Sequence, residues 1–241
     1  MVKATFTPQD VERLNAEFAD AHPVDIIRWA VETFRPDVAL TSSFGSDSAA
    51  ILHMAVQVDP AISVRTVDTG FLFPETLQHM ERLKPLLRLN LTVYRTRLDD
   101  ATVARLKREH ATTPVDDRYC CGAYKREATE RALAGLKCWI AGLMREDSVA
   151  RRNTPIVEVL NNGMIKVAPI ALWTAKQIYA YMQEHRLPYH PLWAHGYTSI
   201  GCALHTQKPV DPNDPRSGRW VGQNKTECGI HDIGKSKPTP E

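Results

Sequence analysis

No apolar run in this 241-residue chain approaches the roughly eighteen residues that a membrane span requires. The opening residues, Met1-Val2-Lys3-Ala4-Thr5-Phe6, lack the apolar core of a signal peptide. Charge of one sign is not in excess either. Thirty Lys and Arg against 28 Asp and Glu leave +2, which provides no broad basic surface for nucleic acid or anionic lipid. A cytoplasmic protein is expected, with neither nucleic acid nor membrane as a partner. Cysteine is scarce, at five residues. In a reducing compartment these are poor candidates for structural disulfides and better ones for catalysis or metal binding. Internal repeats are absent. The most loop-like stretch also lacks the Gly-Lys-Ser ending of a Walker loop and the Gly-x-Gly-x-x-Gly of a dinucleotide loop.

That stretch is Val38-Ala39-Leu40-Thr41-Ser42-Ser43-Phe44-Gly45-Ser46-Asp47. A short apolar run ends in small hydroxyl residues and one glycine. A helical period then begins, with Ala50, Ile51, Met54, Ala55 and Val58 on one face. Such a strand, tight loop and helix N-terminus can present backbone N–H groups and serine hydroxyls to an anion. An ordinary turn capped by Ser46 or Asp47 would have the same grammar. Around it, Thr7-Pro8-Gln9-Asp10 reads as a helix start, and a second helix is expected over 24–34, stopped by Pro36. Strands are expected over 62–67, 90–94, 137–141 and 165–168. Helices are expected from Pro74 (with Leu77, Met80, Leu83 and Leu87 inward), over 99–110, after Cys121, and over 174–185. Strands alternating with helices imply parallel βαβ units, whose ligands sit beyond the strand C-termini. Both 41–47 and 68–73 fall there. Arg145, Arg151 and Arg152 crowd a third strand end, where an anion contact competes with a plain solvated loop. Beyond Arg186 no helical or strand period survives.

The cysteines divide into three kinds. Cys138 lies in an apolar strand and reads as a core thiol. Cys120-Cys121 with Cys202-Ala203-Leu204-His205 supplies three thiols and one imidazole, a soft donor set suited to zinc or an iron–sulfur cluster. Adjacent cysteines suit the several irons of a cube better than one tetrahedral zinc. Cys228 stands apart, between Glu227 and Gly229 and three residues before His231. An exposed thiol near an imidazolium or arginines is a candidate nucleophile.

The sequence resembles the assimilatory sulfonucleotide reductases over nearly its whole length. The motifs that carry the resemblance are Ser42-Ser43-Phe44-Gly45, 68–76 (DTGFLFPET), Cys120-Cys121 with Lys125, 189–193 (YHPLW), Arg216-x-Gly218-Arg219-Trp220 and 227–231 (ECGIH). The resemblance implies an α/β fold, a single parallel-sheet domain of the adenine nucleotide α-hydrolase-like, ATP pyrophosphatase-related type. Residues 1–195 would form the nucleotide-binding domain and 196–241 an irregular segment that carries cluster-type residues and a tail closing over the site. It also implies attack of Cys228 on the sulfate sulfur, loss of AMP, and release of sulfite by thioredoxin or glutaredoxin. Lys125, Arg216 and Arg219 would supply positive charge, and Ser42, Ser43, Gly45 and Asp68 would hold the nucleotide. Arg145 and Arg151 are further candidates for the substrate, and His231 would orient or acidify Cys228.

One departure bears on the cofactor. Cluster-containing members carry Cys-x-x-Cys where this chain has Cys202-x-x-His205. A 4Fe–4S cluster on Cys120, Cys121, Cys202 and His205 is the expectation, with adenylyl sulfate as substrate. The alternative is a cluster-free enzyme for 3′-phosphoadenylyl sulfate, toward which 71–74 (FLFP) leans. Two other classes fit less well. An adenylyltransferase or amidotransferase would want Ser-Gly-Gly-x-Asp at the loop, and a zinc-stabilised binding domain leaves Cys228 and the arginines without a task. A homo-oligomer stays open.

Overall fold

The computed structural model describes residues 6–110, 119, 121–211, 213–223 and 225–234. Cys120 therefore lies outside the described residues. Among the described residues, seven α-helices and six strands follow in order: α1 (Pro8–Glu17), α2 (Pro23–Phe34), β1 (Val38–Thr41), α3 (Ser48–Val58), β2 (Ser63–Asp68), α4 (Pro74–Leu86), β3 (Asn90–Arg95), α5 (Asp100–Glu109), α6 (Ala123–Leu133), β4 (Cys138–Ala141), β5 (Val157–Val159), β6 (Ile165–Val167) and α7 (Ala175–Glu184). The caps follow sequence chemistry. Thr7 and Asp10 form a reciprocal capping box on α1, with Pro8 in the first turn. Thr174 and Gln177 do the same on α7.

The strands form one sheet in the order β3-β2-β1-β4-β6-β5. Every pairing is parallel except β5 with β6, which is antiparallel. β1 and β4 lie at the centre. Ala39, Leu40, Cys138, Trp139 and Ile140 are inaccessible to solvent, which accounts for their continuous apolar runs. Burial in this layer pushes the Cys138 thiol up and leaves it protonated, as expected of a core cysteine. The chain winds outward from β1 through β2 to β3, then returns to the other side of β1 to form β4. This reversal opens a crevice beyond the C-termini of β1 and β4, where open α/β sheets take their ligands.

Two expectations are corrected. β5 was not foreseen; it is a three-residue edge strand, too short to show a period. Leu77, expected inward on α4, is exposed, while Thr76 and His79 are buried in its place. The reason is local: α4 packs on the turn 191–195, and the His190 ring reaches Thr76 Oγ1 at 2.9 Å. His190 Nδ1 accepts from the Leu192 N–H, so Nε2 carries the proton and donates to Thr76.

Burial, reinforced by each other's charge at His79, pushes both His79 and His190 down to about 4 from 6.5. Between those values the unfolded chain binds protons that the native pair refuses. The stabilisation is therefore whole above pH 6.5 and is lost as pH falls toward 4. Urea titrations from pH 7 to pH 4.5 should show unfolding midpoints falling with acid. His79→Leu, which removes one member, should flatten that dependence.

Candidate active site

The crevice is walled on one side by the loop between β1 and α3. Ser42 Oγ accepts from the Phe44 N–H at 3.1 Å, and Phe44 takes φ +50° with its ring buried. This left-handed residue turns the loop so that Ser42, Ser43, Gly45 and Ser46 line the cavity at the start of α3. Asp47 caps α3 by backbone geometry alone. Burial raises its carboxyl, and Asp147 across the cavity adds to the rise.

The opposite wall brings in α6 and the irregular segment. The first turn of α6 sets Lys125 Nζ 3.8 Å from Cys228 Sγ. Desolvation works against the ammonium, but the neighbouring sulfurs of Cys228, Cys121 and Cys202 hold its pKa above the ordinary value. Lys125 is thus a fixed positive charge against the sulfur. Arg216 and Arg219 each donate through Nη1 to Ser199 Oγ at 3.3 Å, and both guanidinium groups lie over the Trp220 ring, at 5.8 and 4.3 Å. Glu227 forms a fork with Arg151: Nε to Oε1 at 2.9 Å and Nη2 to Oε2 at 3.0 Å. Arg216 reaches the same carboxylate at 3.2 Å. Burial opposes ionisation of Glu227, yet Arg151 and Arg216 hold it below the ordinary carboxylate range.

Behind Lys125 lies a second apolar cluster of Phe71, Leu106, Cys121, Cys202 and Trp220. The loop after β2 clasps it, with the Ala203 N–H donating to the Phe71 carbonyl at 2.7 Å. Donor atoms of Cys121, Cys202 and His205 fall within 4.8 Å of one another, and all three residues are buried. His205 Nδ1 is 3.5 Å from Cys202 Sγ. Hydrogen bonds with Cys121 and Cys202 push His205 up to about 9 despite desolvation. Two soft sulfurs and an imidazole converging on one point fit a thiophilic metal centre. Cys120, the remaining expected donor, lies outside the described residues.

Of the residues singled out in the sequence, Ser42, Ser43, Gly45, Lys125, Arg151, Cys202, Arg216, Arg219, Cys228 and His231 line one cavity. Cys121 and His205 stand just behind it. Asp68 and Arg145 stand apart from the lining. The Asp68 carboxylate accepts from the Gly70 N–H at 2.8 Å and faces Arg95, so it shapes the loop after β2. Arg145 donates to the Thr154 carbonyl at 2.8 Å. The Arg151 fork is taken up by Glu227 and Asp147. The His231 ring stacks on the Trp139 indole at 5.6 Å and 16°.

Ser199 and Gly201 escaped sequence reasoning. A Cβ on Gly201 would overlap the Arg219 guanidinium, with Cζ at 2.6 Å. Glycine here is what lets Arg219 lie across the backbone. The obstacle is the end of a flexible side chain, so Gly201→Ala should fold normally and displace Arg219. We expect kcat/KM to fall about 10²-fold with an unchanged melting temperature. Steady-state kinetics beside a thermal melt decides it, and unaltered kinetics would refute the role of the glycine.

Residues 37–208 match the family model described as the phosphoadenosine phosphosulfate reductase domain. The adenosine 5′-phosphosulfate reductase of Streptomyces coelicolor is 36% identical over 223 residues, covering 91% of this chain and 92% of the relative. The phosphoadenosine 5′-phosphosulfate reductase of Gloeobacter violaceus is 40% identical over 227 residues, covering 92% and 93%. Among solved structures, phosphoadenylyl-sulfate reductase from Candida auris superposes with a TM-score of 0.72 at 26% identity, covering 86% of this chain and all of that one. The FMN adenylyltransferase of Candida glabrata shares the fold alone, with a TM-score of 0.55 at 11% identity over 83% of this chain and 72% of that one. Among the described residues no helix is long and apolar enough to cross a membrane. With its sheet, crevice and motifs in these places, the chain belongs to the phosphoadenosine phosphosulfate reductase domain family, the sulfonucleotide reductases.

Proposed function

We propose that this chain reduces adenylyl sulfate to sulfite and AMP, with Cys228 as nucleophile and thioredoxin or glutaredoxin as reductant. The observation that carries the reading is the Lys125–Cys228 pair, 3.8 Å apart. The pair lines the same cavity as Ser42, Ser43, Gly45 and Ser46 of the loop after β1. In the first half-reaction the Cys228 sulfur attacks the sulfate sulfur. The S–S bond forms as the bond to the phosphate oxygen breaks, and AMP leaves with that electron pair. Lys125, Arg216 and Arg219 balance the charge on the sulfate oxygens, and Ser199 Oγ accepts from both guanidinium groups. In the second, a thiolate of the reductant attacks the Cys228 sulfur of the S-sulfocysteine and sulfite leaves with the bonding pair. The reductant's second thiol then resolves the mixed disulfide and restores Cys228. Two electrons pass from the dithiol to sulfur.

Within this reading residues 1–195 bind the nucleotide and 196–241 carry the chemistry, in the cytoplasm. Cys120, Cys121, Cys202 and His205 hold a 4Fe–4S cluster, for which the convergent soft donors are the support. Held by these residues, the cluster would supply a charged metal centre behind Lys125. About four irons per chain after anaerobic purification, with a spectrum altered in His205→Cys, is the expected result. Colourless, iron-free and fully active protein would overturn it.

The second reading, reduction of 3′-phosphoadenylyl sulfate, is favoured by the name of the Gloeobacter relative. Comparing kcat/KM for the two nucleotides discriminates. We expect adenylyl sulfate to lead by about tenfold or more. The opposite order would assign the protein to the 3′-phosphorylated substrate.

A further inference from the structure

β6 reads Ile165-Lys166-Val167, and all three residues are buried. A lysine there is costly, since an ammonium taken from water must be repaid by acceptors. Three partners among the described residues meet it. Across the antiparallel pair, Glu158 Oε1 is 2.9 Å away. The Trp139 ring lies below, at 5.0 Å from Nζ. The third partner belongs to another part of the chain: Nζ donates to the backbone carbonyl of His231 at 3.1 Å. The same Trp139 carries the His231 ring on its face and donates through Nε1 to Thr41 Oγ1, at the root of the loop after β1.

We propose that Lys166 is a positioning residue for the thiol: a charge sunk in the sheet that recognises the backbone at His231 and so fixes Cys228 against Lys125. The proposal rests on Cys228 being the nucleophile. Cys228 is held between two anchors, one half-buried and one reaching into the sheet. Before it, Glu227 is forked by Arg151. After it, His231 is held by Lys166, followed by Ile233 in the core and the Gly234 carbonyl accepting from the Asn161 N–H at 2.7 Å. The β5–β6 hairpin supplies Glu158, Leu160, Asn161 and Lys166 and is thus the platform on which this strap docks. An apolar residue at 166 would satisfy the sheet and leave the His231 carbonyl without its buried donor.

The test uses the full chain. Lys166→Met removes the charge, and Lys166→Met/Glu158→Gln neutralises the facing carboxylate as well. Iodoacetamide labelling of Cys228, followed by peptide mass spectrometry without substrate, reads the strap directly. We expect labelling about tenfold faster or more in both variants, as docking loosens. We also expect kcat to fall about 10²-fold with the Kd for AMP unchanged. Glu158→Gln alone keeps the bond to His231 and should label like wild type. A folded double variant with wild-type labelling and kcat would overturn the proposal. So would a chain that cannot fold without Lys166, since the lysine would then be a core requirement. If Cys228→Ser proved active, the nucleophile assignment would fall, while the labelling result would still report on the strap.

Discussion

Cys228→Ser should abolish turnover, by about 10⁴-fold or more, while nucleotide affinity survives. A hydroxyl is a far weaker nucleophile than a thiolate at neutral pH, so the substitution deletes the first half-reaction. It leaves the Ser42–Ser46 loop untouched, because that loop and the thiol come from separate parts of the chain. The decisive measurement is a trapping experiment. Wild-type protein given sulfur-labelled adenylyl sulfate without reductant should retain one label per chain, released as sulfite by thioredoxin. The serine variant should retain none while binding AMP as tightly as wild type. Label found on the serine variant would move the nucleophile to another cysteine, and Cys121 or Cys202 would be the first to examine.

Lys125→Met should be the next most damaging change, lowering kcat by about 10²- to 10³-fold. Methionine keeps the length and the apolar stem, so α6 and its packing persist. What goes is the charge set 3.8 Å from the Cys228 sulfur, where the sulfate must also lie during transfer. The loss should appear in single-turnover formation of S-sulfocysteine rather than in affinity for AMP. An effect on affinity alone would make Lys125 a ground-state binding group. A variant that transfers sulfur at the wild-type rate would remove the lysine from the mechanism.

Much of this was legible in the sequence because it depends on local pattern. The capping box at Thr7, the fully buried runs of β1 and β4, and the hydroxyl-rich turn after β1 are each written within a few residues. The thiols were legible by chemistry: three soft sulfurs with an imidazole, and a lone cysteine near a histidine, call for a use. What escaped is non-local. β5 is three residues long and exists through its pairing with β6. Ser199 and Gly201 matter only because Arg219 lies across them. Lys166 would pass for a surface residue until the strap and Glu158 are placed around it. Asp68 illustrates the reverse case. Its position at a strand end is as expected, but its carboxylate is spent on the Gly70 N–H. Arg151 likewise sits in the cavity wall with its guanidinium already engaged by Glu227.

The strap carrying Cys228 follows every strand and helix of the domain in sequence. Synthesis proceeds from the N-terminus, and preceding units fold as they emerge. The sheet, the nucleotide cradle, Lys125 and the Lys166 platform can therefore be in place before the nucleophile is made. On the proposed reading, a nascent chain at that stage binds nucleotide but cannot transfer sulfur. Reactivity arrives only when a thiol is delivered to a surface already shaped to receive it.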